Sequence, residues 1–178
     1  MSCCSRSGIP AGVARLALFL GLLGHAGTVL AQAGPGTPAA ALAEVAALGA
    51  DSAFQRFYAD STTWNQLIGA VSAGDTTWFP VADALEPARS THARALKEMD
   101  DAMIASLARQ PAALFTYHLS RGWSAGQIAE AFCVELPDAP QGAAEELQSA
   151  INAVEGIRTP SLKATKDACL NAFRRLQS

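Results

Sequence analysis

Histidine, cysteine and clustered positive charge are all scarce in this sequence, and each scarcity closes off a class of function. Three histidines and four cysteines occur in 178 residues, and His25, Cys3 and Cys4 fall near the N-terminus. Beyond them stand His92, His118, Cys133 and Cys169, none paired at zinc-ligand spacing, so no metal centre is expected. Thirteen Lys and Arg face sixteen Asp and Glu, and Arg174-Arg175 is the one basic pair of note. Phosphate backbones are held by clustered Lys and Arg, so nucleic acid is not an expected partner. No stretch of four or more residues alternates apolar and polar side chains with β-branched enrichment, which argues against a sheet. No phosphate loop or EF-hand pattern occurs, and no cofactor is expected.

Long apolar runs are also missing. A membrane span needs about 20 apolar residues, whereas the stretch from Leu16 to Leu30 is shorter, is broken by Gly24, His25 and Gly27, and has no basic stop-transfer cluster after it. A permanent anchor is therefore not expected, and no cysteine follows the run to accept a lipid. What is present is a secretion signal: Arg6 and Arg15 without acids, then the apolar stretch, then Ala31-Gln32-Ala33. The small-x-small triplet predicts cleavage after Ala33, with Ala31 as the alternative. Residues 1–33 are thus read as a signal peptide, and the remaining chain as periplasmic or secreted.

Cleavage leaves 145 residues, with eleven basic and sixteen acidic. That is the size of one domain, which buries about 68–70% of its unfolded surface and needs no metal to stay folded. Two cysteines in an oxidising compartment suggest one bridge between Cys133 and Cys169; two buried free thiols are the alternative.

Residues 34–38, with Gly34, Pro35, Gly36 and Pro38, form a flexible lead-in, and 39–178 a domain of short stacked helices. The first helix runs from Ala39 to Leu48 and ends at Gly49; Asp51 caps a second through Tyr58, with Phe54, Phe57 and Tyr58 as contacts. Ser61 or Thr62 caps a third, whose Trp64, Leu67, Ile68 and Val71 share one face. Gly74 stops it, and Asp75 starts a helix burying Trp78, Phe79, Val81, Ala82 and Leu85. Ser90 caps the longest helix, Thr91 to about Ala108, with Leu96, Met99, Met103 and Leu107 as its core stripe. Pro111 opens a helix ending at Gly122, and Ser124 with Gln127 makes a capping box launching Ile128 to Cys133. After a loop at Glu135 to Gln141, helices follow at about Ala143 to Gly156 and Ser161 to Leu176. Glu145, Glu146, Arg174 and Arg175 complement the helix dipoles there.

Gly122-Trp123-Ser124-Ala125-Gly126 matches the G-x-S-x-G elbow of serine hydrolases. That elbow joins a strand to a helix and precedes its histidine. Here a helical segment comes before it, and His92 and His118 both precede Ser124, so Ser124 is read as a cap. Glu98, Asp100 and Asp101 are read as a solvated face, with Arg94 and Lys97 four residues before Glu98 and Asp101. His92 and His118 have no local partner and are read as structural or surface residues. Trp64 and Trp78 are core residues, while Trp123, at a turn, is a candidate contact together with Ser124.

The run Trp64-x-x-Leu67, Gly74-Asp75, Trp78, then Gln110-Pro111, Cys133 and Cys169-Leu170 resembles uncharacterised exported helical proteins of proteobacteria, over about residues 64 to 170. The resemblance implies a cysteine pair joining the last helix to the middle of the domain, and no activity. The expected function is binding rather than chemistry, with a protein partner in the periplasm and an immunity or adaptor role by analogy. The contact surface would be the turn at Gly122 to Ser124 or the loop at Pro137 to Gln141. Two alternatives are a hydrolase using Glu98, Asp101 or His118 in one cleft, and a small-ligand carrier, whose mark would be a closed apolar cavity among the aromatics.

Overall fold

The computed structural model describes residues 34–134 and 143–176; residues 1–33, where the sequence is read as a signal peptide, and the expected loop at Pro137 to Gln141 lie outside the described residues. The described residues hold nine α-helices and no strand: α1 (Pro38–Leu48), α2 (Ala50–Ala59), α3 (Ser61–Ser72), α4 (Phe79–Leu85), α5 (Arg89–Arg109), α6 (Pro111–Ser120), α7 (Ala125–Cys133), α8 (Ala143–Glu155) and α9 (Lys163–Leu176). Single 3₁₀ turns at Glu86–Ala88 and Pro160–Leu162 lead into α5 and α9. All belong to one domain. No helix among them is long and apolar enough to cross a membrane.

Helix α5 is the spine. It packs on α3 along one flank and on α8 along another, with α6 and α7 against its C-terminal half, while α7 lies along α9 and α1 packs on α2 and α4. The stripe Leu96, Met99, Met103 and Leu107 is buried as its spacing requires, and Trp64, Leu67 and Val71 of α3 answer it. Phe54, Phe57, Phe79, Phe115 and Phe173 are all below 2% exposed. Each buried side chain of this size stabilises the fold by about 1.5–3 kcal/mol. Tyr58 makes the expected contacts, stacking on Phe54 at 5.5 Å and meeting Trp64 edge-on at 5.3 Å, but is 46% exposed because it stands one residue beyond the buried face of Ala53, Phe54 and Phe57.

Several starts differ from expectation, by one to four residues. Asp60, not Ser61 or Thr62, caps α3 by accepting from the Thr62 amide (3.1 Å) and the Thr63 hydroxyl (2.6 Å). Gly49 opens α2, and Asp51 sits in its first turn. Asp75 holds a turn through the Thr77 amide (3.0 Å), so α4 begins only at Phe79. Ser90 is no cap. Helix α5 starts at Arg89 and breaks at His92 (φ −127°, ψ 33°), whose ring stacks on Phe54 at 4.5 Å with Nε2 3.1 Å from Asp51. Residues 34–36 lie against α3: Pro35 is buried and the Gln66 amide donates to the Gly36 carbonyl at 3.1 Å.

Helix ends are satisfied by side chains and glycines, as buried backbone groups require. After α3, Gly74 (φ +81°) donates to Val71 and Asp75 to Ala70, a Schellman closure in which only glycine relaxes comfortably. Lys166 of α9 reaches the carbonyls of Glu155 (2.6 Å) and Ile157 (3.0 Å) at the end of α8. Cys133 and Cys169, both fully buried, form a disulfide that fastens α7 to α9, with Cα atoms 5.4 Å apart.

Candidate functional site

A pocket of about 340 Å³ opens where α4, α5, α6 and α7 meet. Its apolar walls are Ala82 of α4, Met99, Met103 and Ile104 of α5, Trp123 of the α6–α7 turn, and Ala131 and Phe132 of α7. Its polar groups are Asp83, Glu86, Arg89, Asp100 and His118. The size and the pairing of apolar walls with a few polar groups match small-molecule sites.

Local sequence builds the aromatic wall. Helix α6 ends in a second Schellman closure, in which Gly122 (φ +85°) donates to Leu119 and Trp123 donates to the His118 carbonyl. That motif characteristically brings the residue after the glycine onto the last turn of the helix, and here the Trp123 ring lies 4.6 Å from the His118 ring. The next residue, Ser124, caps α7: its Oγ accepts from the Gln127 amide (3.2 Å) while Gln127 Oε1 accepts from the Ser124 amide (2.9 Å). The capped helix then delivers Phe132 to within 4.7 Å of His118 and 6.1 Å of Trp123. Trp123 is 38% exposed and forms part of the mouth.

His118 is 3% exposed, and its Nε2 is buried with no hydrogen-bond partner. Leaving such an atom unpaired costs about 1–3 kcal/mol. Burial among the rings penalises the charged imidazole and pushes it down to about 4, against weaker opposition from Asp83; Arg121 adds to the lowering. The ring is therefore neutral at pH 7. Beside it, Tyr117 donates to Asp83 at 2.5 Å, and burial together with that carboxylate pushes the phenol well above its ordinary range.

At the rim, Arg89 bridges two carboxylates. Its Nε and Nη2 donate to Glu86 (2.5 and 2.7 Å), and Nη1 and Nη2 to Asp100 (2.9 and 2.8 Å), which raises the guanidinium further. Arg89 and Asp100 are eleven positions apart, about 16 Å along a straight helix. The break at His92 is what brings them together.

The structure sets apart the acids that the sequence offered for a hydrolase, Glu98 and Asp101, while three other carboxylates, Asp83, Glu86 and Asp100, share the pocket with His118. Glu98 accepts from the Trp64 indole at 2.7 Å, in a groove with Tyr58 and Arg94, rather than serving simply as a partner of Arg94. Asp101 pairs with Lys97 at 2.9 Å on the surface, as its spacing implies. His118 is in the pocket and His92 at the α2–α5 contact. Among the described residues the pocket lining contains no hydroxyl, thiol or amine, and no group of three His, Cys, Asp or Glu is placed to hold a metal ion. Sequence reasoning singled out Trp123 and Ser124 but missed the convergence of Met99, Met103, His118 and Phe132. The signal it passed over was a histidine on the buried side of an aromatic-rich helix.

No protein-family model, no curated protein and no solved structure matches the chain.

Proposed function

We propose that this is an exported binding protein whose pocket holds one small, largely apolar molecule through a hydrogen bond to His118. The observation that carries the reading is the unpaired, buried Nε2 of His118 in the lining of an apolar pocket. Buried polar atoms are almost always paired, by protein or by ordered water, so beside this pocket we place a ligand group at the unpaired one. Binding is favoured over chemistry because the lining offers no hydroxyl, thiol or amine, its Glu86 and Asp100 are engaged by Arg89 and its Asp83 by Tyr117, and the acids at 98 and 101 stand elsewhere. Export is supported by the apolar leader ending in Ala31-Gln32-Ala33 and by a disulfide, which belongs to oxidising compartments. The half-exposed Trp123 is the contact residue at the mouth, where a protein partner would also meet the pocket.

The reading is tested by titrating 4-ethylphenol into the protein and following tryptophan fluorescence, since Trp123 lines the site. Saturable binding is expected, weakened about tenfold in His118→Leu through the loss of one hydrogen bond. It should be abolished in Ile104→Trp, which fills the pocket from a partly exposed position. Equal binding by Ile104→Trp would refute the proposal.

A further inference from the structure

The pocket lining carries three carboxylates, Asp83, Glu86 and Asp100, against one guanidinium, Arg89. Arg89 is occupied by two of them, with four N–H···O bonds from a group that has five donors in all. It cannot offer a two-pronged grip to a ligand carboxylate without breaking one of those pairs. Arg121 comes within 3.5 Å of Asp83 but is 59% exposed and lies outside the lining. The rim is therefore negative on balance.

Depth separates the two kinds of polar group. Side chains at the rim are well exposed, from 32% for Asp83 to 55% for Glu86, whereas His118 is almost completely covered. The same lining includes Met99, Met103 and Phe132, all buried. We infer that the pocket selects a protonated amine with an apolar body, its ammonium held at the carboxylate rim and a hydroxyl at its far end bonded to His118 Nε2. This rests on the binding reading above. A hydroxyl both donates and accepts, so it matches either neutral tautomer of the imidazole. The floor rejects the cation itself, since burial already keeps His118 uncharged there. The volume equals roughly eleven water-sized units, room for a one-ring amine.

Three probes sharing one hydroxyphenyl body separate the charge: tyramine, 4-ethylphenol and 3-(4-hydroxyphenyl)propionate, titrated by calorimetry at pH 7.5 in low and high salt. Tyramine is expected to bind about tenfold tighter than 4-ethylphenol at low salt, and the propionate about tenfold weaker, with both gaps narrowing in high salt. In Glu86→Gln/Asp100→Asn the lining loses two charges and frees Arg89, so the preference for tyramine should vanish and the propionate should gain. Glu86→Gln alone, at an exposed side chain, gives an intermediate result even if the double variant folds poorly. If 4-ethylphenol binds and tyramine binds no tighter, the amine inference is wrong and the pocket reading stands. If none of the three binds, both fall. A tyramine preference that persists in the double variant also overturns the assignment to this rim.

Discussion

An unfolded chain protonates His118 near pH 6.5, whereas the folded protein keeps it neutral down to about 4 because burial beside Trp123 and Phe132 penalises the charged ring. Protons therefore bind the unfolded state first as the pH drops. The contribution to stability is constant above 6.5, declines between 6.5 and about 4, and levels off below that. At ~1.4 kcal/mol per pH unit, the loss across this window comes to about 3 kcal/mol, a sizeable share of the 5–15 kcal/mol typical of a domain. Urea denaturation at intervals from pH 7.5 to 4.0 measures it. The comparison is His118→Leu, because subtracting the two curves cancels every other titrating group. At pH 7.5 the variant should be at least as stable as the parent, since leucine has no ring nitrogen to leave unpaired. By pH 4 it should lead by about 3 kcal/mol more. Curves that stay parallel within ~0.5 kcal/mol would show that His118 is not buried neutral, and the pocket floor would need redrawing.

The disulfide closes a separation of 36 residues, for which chain entropy gives about 4 kcal/mol. Cys133→Ala/Cys169→Ala should lose that much in urea denaturation, and the unreduced protein should yield no alkylated thiol at either position even when unfolded. Gly74→Ala should cost about 1–3 kcal/mol, because the position has φ +81° and a Cβ there would collide with the Gln110 Cβ. Gly122→Ala, with φ +85° but open space around it, should cost only ~1 kcal/mol, and equal losses in urea would contradict the crowding described at Gly74.

Helices with strong punctuation were legible in the sequence. Pro111, Gly122 and the Ser124/Gln127 box define α6 and α7 through local chemistry, and local chemistry is what a sequence displays. The core stripe of α5 follows from spacing alone. Its start did not, because the break at His92 comes from stacking on Phe54 and contact with Asp51, residues about forty positions earlier. The same distance in sequence hid Glu98, whose partner is the Trp64 indole 34 residues away. The pocket was illegible for a related reason. Its walls come from four helices, and nothing in the spacing of Met99, His118 and Phe132 foretells that they converge.

Phe132 and Cys133 are neighbours on α7, one facing the cavity and the other crosslinked to α9. A backbone excursion that carried Phe132 out of place would have to move a covalently tethered neighbour with it. The backbone of α7 behind that wall therefore does not fray independently of α9. Oxidation thus does more than raise overall resistance to unfolding, because it holds the backbone beside the cavity to a second helix.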